Sequence, residues 1–175
     1  MITLGLGIFF RIYGINWDEE FHLHPDERFL TMVISSITPV SSLNEYFNTD
    51  ISRLNPHNIL DFNNNSVFPF FVYGTLPLFL VRYVAEFLGQ TGYSEIHIVG
   101  RYLSGIFDAG TIILVFMIAQ DLFKKKGLSL IASFLYACCV LPIQISHFFI
   151  VDNFTTFFAT ATLYAAVRIL NEEEF

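Results

Sequence analysis

Residues 98–123 read IVGRYLSGIFDAGTIILVFMIAQDLF and run directly into Lys124-Lys125-Lys126. A helical membrane span needs ~20 mostly apolar residues. This stretch supplies them with only three ionisable groups, Arg101, Asp108 and Asp121. A short lysine-rich turn faces the cytoplasm, so Ile98–Phe123 is expected to run from outside to inside. Beyond the lysines, Leu128–His147 reads as a second span and Phe154–Leu170 as a third, shorter one. At the other end, Ile2–Tyr13 is too short to cross and reads as the last turns of a first span. A cleaved signal peptide is the weaker alternative there, because no basic leader and no small-residue cleavage site is visible.

Composition agrees with a membrane setting. Hydrophobic residues make up 54% of the 175, charged residues 14%, and the mean hydropathy is +0.55, whereas a soluble domain is charged over ~25% of its length. Twenty-one Phe and eight Tyr suit lipid and headgroup surroundings. Cys138 and Cys139 are adjacent in an apolar run, which gives neither a disulfide framework nor a metal-binding spacing. The net charge of −7 disfavours nucleic acid as a partner. All of that charge lies between Gly14 and His97, where ten acids face only Arg28, Arg53 and Arg82. An acidic, Asn-rich insert is therefore set into an apolar chain. The expected fold is all-α, a polytopic membrane helical bundle forming one domain over 1–175. Its long extracytoplasmic first loop, residues 14–97, would carry juxtamembrane helices.

Phe68–Leu88 is apolar enough to be taken for another span, yet Pro69, Gly74 and Pro77 interrupt it. Arg82 and Glu86 fall four apart, on one helical face. A charge near a bilayer centre costs ~2.5–3.5 kcal/mol on insertion scales, while an interfacial helix keeps such groups wet. Parity points the same way. If the lysine turn is inside and residues 2–13 end outside, no span fits between Gly14 and His97. Phe68–Leu88 then lies against the outer surface, and the insert shares that side with the connection holding His147, Asp152 and Asn153.

The densest polar cluster is NWDEEFHLHPDERF, residues 16–29. Carboxylates at a membrane surface can take a proton from an acceptor hydroxyl or hold a divalent metal beside a phosphate. His22, His24 and Asp26 would make a metal trio. The structural alternative is a solvated acidic loop broken by Pro25, with Asp26 and Glu27 suiting the positive end of a helix over Asp26–Ile37. Within Ile98–Phe123, Arg101 and Asp108 lie two turns apart on one face. Arg101, near the outer end, can reach a lipid phosphate or snorkel at the interface, and Asp108 can pair with it or with another helix. Gly100, Ser104, Gly105, Ala109 and Gly110 form a small-residue strip suited to close helix packing.

Taken in order, FRIYGINWDEEFHLHPDERF, YGTLPLFLV, GRYLSGIFDAGTIILVFMIAQDLF and VLPIQISHFFIVDNFTTFF resemble the GT-C superfamily of lipid-carrier-dependent glycosyltransferases. The resemblance is to the bacterial branch similar to dolichyl-phosphate-mannose protein mannosyltransferases, and it covers nearly the whole chain. It implies an inverting transfer of a sugar from a polyprenyl-phosphate donor to a protein, lipid or glycan acceptor. The transfer would occur at the extracytoplasmic face of a multi-pass protein of the bacterial inner membrane. By position, Asp26 matches the base acting on the acceptor, with Glu27 beside it. Arg101 matches the arginine near the donor phosphate, with His147 and Asp152 completing the substrate side. Asp26, Asp152 and, less firmly, His24 match the positions that would hold a divalent metal (Mg, Mn or Ca) in metal-dependent relatives. Two departures stand out. Leu76-Pro77 replaces a Pro-Pro pair, and about four spans are present where relatives have ten or more, so the chain looks like the N-terminal portion of a longer enzyme. The competing classes are a transporter or channel fragment and a non-catalytic membrane subunit.

Overall fold

A computed structural model describes residues 2–172. Among these residues the regular structure is all-helical, apart from one isolated antiparallel bridge between Leu60 and Ser66. The helices are α1 (Ile2–Ile12), α2 (Pro25–Ser36), α3 (Leu43–Phe47), α4 (Thr75–Leu88), α5 (Tyr93–Phe123), α6 (Lys126–Ala137), α7 (Val140–Ser146) and α8 (Asp152–Glu172). The chain divides into two compact units, residues 18–100 and residues 1–17 with 101–175. The boundaries fall close to the ends of the acidic insert, so the charge pattern marks one of the two units.

α5 is the one described helix that is long and apolar enough to cross a membrane by itself. The expected span Leu128–His147 is instead two helices, α6 and α7, bent by 54°. Pro142 explains the break, because a proline ring clashes with the carbonyl four residues earlier, here that of Cys138, where α6 ends. At most, α6 and α7 together make a second, broken span. α8 is long enough but carries Thr155, Thr156, Thr160, Thr162 and Arg168, and it falls short in hydropathy. α1 is apolar but short. The described helices therefore give one or two candidate spans.

In the unit formed by residues 18–100, α2 and α4 pack face to face. Leu30, Val33, Ile34 and Ile37 on one side and Leu78, Val81 and Ala85 on the other are fully buried. These are the three- and four-residue spacings of a helix stripe, and each large side chain contributes ~1.5–3 kcal/mol when removed from water. Arg82 fastens the pair. Its Nη1 donates to the Ile34 carbonyl at 3.2 Å, and its Nη2 donates to Glu86 Oε2 at 2.9 Å. Only Thr75–Leu88 of the expected helix Phe68–Leu88 is helical. Gly74 caps it, Pro77 falls in its first turn where no backbone donor is lost, and Gly89 ends it with φ +69°.

A second fastening lies in the loop around α3. Glu45 accepts from Arg53 Nε at 2.7 Å, from the Ser41 backbone at 2.8 Å and from the Ser41 hydroxyl at 2.9 Å. The Arg53 guanidinium, then the Ser41 amide, hold the Glu45 carboxyl down at about 2. A carboxyl lowered on folding stabilises the fold above its unfolded value of ~4.3 and loses that contribution as the pH falls toward 2. Hydrogen-exchange protection factors across residues 41–53, taken relative to the intrinsic rate at each pH, should therefore fall between about pH 4.5 and 2. In Glu45→Gln the acid-dependent part of that fall should be missing.

In the other unit the small-residue strip of α5 allows close approach. A methyl group at Gly105 would lie 3.3 Å from the Arg11 carbonyl oxygen, and one at Gly110 would lie 2.7 Å from the Phe157 ring. Phe107 sits among Phe154, Phe157 and Phe158 at 4.6–5.8 Å, and Asn153 Nδ2 donates to Ser104 Oγ at 2.8 Å. Arg11 and Asp108 form a fully buried ion pair. Arg11 also donates to the carbonyls of Gly7 and Ala137, and the Tyr136 hydroxyl donates to Asp108 at 2.6 Å. Asp108 thus takes its partner from α1.

Candidate functional site

Asp26 stands in the first turn of α2. The turn is shaped by Pro25 at its start and by the His24 ring, whose Nδ1 accepts from the Glu27 amide at 3.5 Å. Asp26 and Glu27 begin the helix where its dipole favours negative charge, but the helix rotates them to opposite fates. Glu27 is fully buried, whereas Asp26 is exposed and opens into a cavity of about 410 Å³. Phe29, Phe68, Pro69, Phe70 and Tyr73 wall that cavity. Phe29 holds the wall together, with its ring 6.1–6.3 Å from those of Phe68, Phe71 and Tyr73. A carboxylate at the mouth of an aromatic cavity suits a ligand that is part polar and part apolar.

The approach to α2 is strained. Glu19, Glu20 and His22 have φ values of 49°, 70° and 49°, a region costing ~1–3 kcal/mol for each such residue. Packing compensates. The His22 ring is buried, 4.2 Å from the His97 ring and 4.5 Å from that of Tyr93. His22 therefore serves as an anchor of the loop, and its two ring nitrogens have no hydrogen-bond partner among the described residues.

The remaining predicted residues lie in the other unit. Arg101 is fully buried. Its Nη1 donates to the Ile15 carbonyl at 2.8 Å, and its guanidinium lies over the Trp17 ring, 5.8 Å from the centroid. Trp17 donates from its indole to the His147 carbonyl at 3.3 Å and meets Phe148 edge-on. The His147 ring bridges two backbone carbonyls, Ile143 at 2.8 Å and Tyr13 at 2.9 Å. A neutral imidazole can donate to only one of them, the imidazolium to both. Trp17, Gln144, His147 and Phe148 line a cavity of about 300 Å³. Asp152 is exposed in the first turn of α8.

Among the described residues no three His, Cys, Asp or Glu side chains are grouped to hold a metal ion. The trio His22, His24 and Asp26 is not assembled: His22 is buried against His97 and Tyr93, and the His24 Nδ1 is committed to the cap of α2. Of the positions that the resemblance assigns to a metal, Asp26 and His24 belong to residues 18–100 and Asp152 to the other unit. Trp17 and the aromatic walls around Asp26 were not singled out in the sequence. Their only signal there is aromatic density, which lipid contact explains equally well. No family model, curated protein or solved structure matches the chain.

Proposed function

We propose that the chain belongs to a multi-pass membrane glycosyltransferase that moves a sugar from a polyprenyl-phosphate donor to an acceptor at the extracytoplasmic face. The observation that carries this reading is Asp26, an exposed carboxylate opening into an aromatic cavity from the first turn of α2, just after a loop held in strained backbone by buried packing. In the reaction, an acceptor hydroxyl oxygen attacks the anomeric carbon of the sugar, and Asp26 takes the hydroxyl proton. The bond between that carbon and the phosphate oxygen breaks, the phosphate leaves with the electron pair, and the configuration inverts. General base help of this kind is worth ~10²–10⁴-fold. Glu27, being buried, supports the start of α2 and does not touch the acceptor. Arg101 is a positioning residue that holds Trp17 and the chain at Ile15. His147 and Asp152 are assigned to the donor by the resemblance alone.

The transporter reading calls for ionisable groups lining a path within the membrane. The buried pair Arg11 and Asp108 is closed off, with Tyr136 donating to Asp108 and Arg11 Nη1 donating to two backbone carbonyls, which favours a structural role. Sidedness tests the placement. With Cys138 and Cys139 replaced by Ala, single cysteines at Asn64 and Asp152, both exposed, should label from outside with a membrane-impermeant reagent, and one at Lys125 should not. Labelling of Asn64 and Lys125 from one side would overturn the topology.

A further inference from the structure

Tyr46, Thr49, Asn55, His57, Thr75 and Phe79 line a second cavity of about 400 Å³ in the unit formed by residues 18–100. We propose that it binds a neutral saccharide, the acceptor end of the reaction proposed above. Two aromatic rings, Tyr46 and Phe79, stand 6.4 Å apart at a steep angle, and Tyr46 is 44% exposed. Such rings offer flat apolar faces to the C–H side of a sugar ring. Around them are uncharged hydrogen-bonding groups: the hydroxyls of Tyr46, Thr49 and Thr75 and the exposed His57 ring. The framework behind them is fixed, so these groups are held ready. The Asn55 and Asn58 amides both donate to the Thr49 carbonyl at 2.9 Å, and the ion pair between Glu45 and Arg53 closes the loop on the α3 side.

Charge selects the ligand class. Neither lysine nor arginine lines the cavity, so nothing there is built to seize a phosphate or another anion. No carboxylate lines the cavity, so nothing there is built to seize a cation. A neutral polyhydroxylated ligand satisfies both facts, and the volume lies within the ~300–1,000 Å³ of small-ligand sites. Neighbouring stretches of chain wall this cavity and the Asp26 cavity. Residues 67–73 wall the Asp26 cavity, and Thr75 and Phe79, just beyond Gly74, wall this one.

The test uses the full chain in phosphatidylcholine nanodiscs, free of sugar-headed detergent, and reads saturation-transfer NMR. Maltotriose and diacetylchitobiose are the neutral probes, and mannose 6-phosphate is the charged one. At least one neutral probe should bind saturably and more tightly than mannose 6-phosphate. Tyr46→Ala should weaken it about tenfold. Thr49→Val, which keeps the shape of the side chain, should weaken it about threefold. Glu19→Gln should leave saccharide binding within about twofold, since Glu19 lines neither cavity. Absence of saturable binding by either neutral probe, unchanged binding in both cavity variants, or preference for the phosphorylated sugar would each overturn the proposal. So would a Ser/Thr-rich peptide that binds where the sugars do not. Saccharide binding without any sugar transfer would retain this site and remove the glycosyltransferase reading instead.

Discussion

Replacing Asp26 by Asn in the active enzyme should lower sugar transfer ~10²–10⁴-fold while the protein stays folded. Asparagine keeps the size of the side chain and its place in the first turn of α2. It loses the negative charge and with it the basicity needed to take a hydroxyl proton. The helix itself should suffer little, because its start is set by Pro25 and the His24 ring. Glu19→Gln, in the same acidic loop and exposed to solvent, should cost far less. A comparable loss at both positions would mean that the bulk charge of the loop matters, and Asp26 would lose its assigned role. Glu27→Gln makes a useful third variant. A buried carboxylate acts on structure, so its loss should appear in stability before it appears in turnover.

The largest stability effect should come from the buried ion pair between α1 and α5. Removing one member leaves the other charged and enclosed, at a cost of ~3–5 kcal/mol. Asp108→Asn should therefore lower the unfolding midpoint sharply, as should Arg11→Met. The double variant Arg11→Met with Asp108→Leu should recover most of the loss, because no unpaired charge remains and the surroundings accept apolar groups. Additive losses in the double variant would show that the two side chains do not act as a pair. Tyr136→Phe removes one hydrogen bond to Asp108 and should cost about 1 kcal/mol.

Features set by neighbouring residues were the ones readable from sequence. α5 could be found because a continuous apolar run followed by three lysines has few other meanings. The start of α2 was visible in His-Pro-Asp-Glu, where proline and the acids each suit a first turn. Arg82 and Glu86 pair as their four-residue spacing suggests. Other features depend on distant partners. Asp108 was expected to pair with Arg101 or with another helix, and its partner, Arg11, is 97 positions away. The break between α6 and α7 was hidden by uniform hydropathy, although Pro142 was its cause. Arg101 looked like a phosphate ligand because arginine near a membrane surface often is one. Its complete burial against Ile15 and Trp17 is a tertiary fact. Likewise Asp26 and Glu27 are indistinguishable as letters, and only the rotation of α2 makes one open and the other enclosed. Apart from Phe29, the aromatic walls around Asp26 come from residues 68–73, which were expected in the helix Phe68–Leu88 and which the fold leaves irregular.

Photolabelling shows whether a lipid-linked sugar is held at Asp26. A polyprenyl-phosphate sugar carrying a diazirine on the sugar ring would be irradiated with the membrane-embedded chain and the adducts mapped by mass spectrometry. The account predicts saturable labelling within residues 25–29 or 67–73, competed away by unlabelled donor and retained in Asp26→Asn, which still binds though it cannot take the proton. Labelling that ignores competitor, or that avoids both segments, would contradict it.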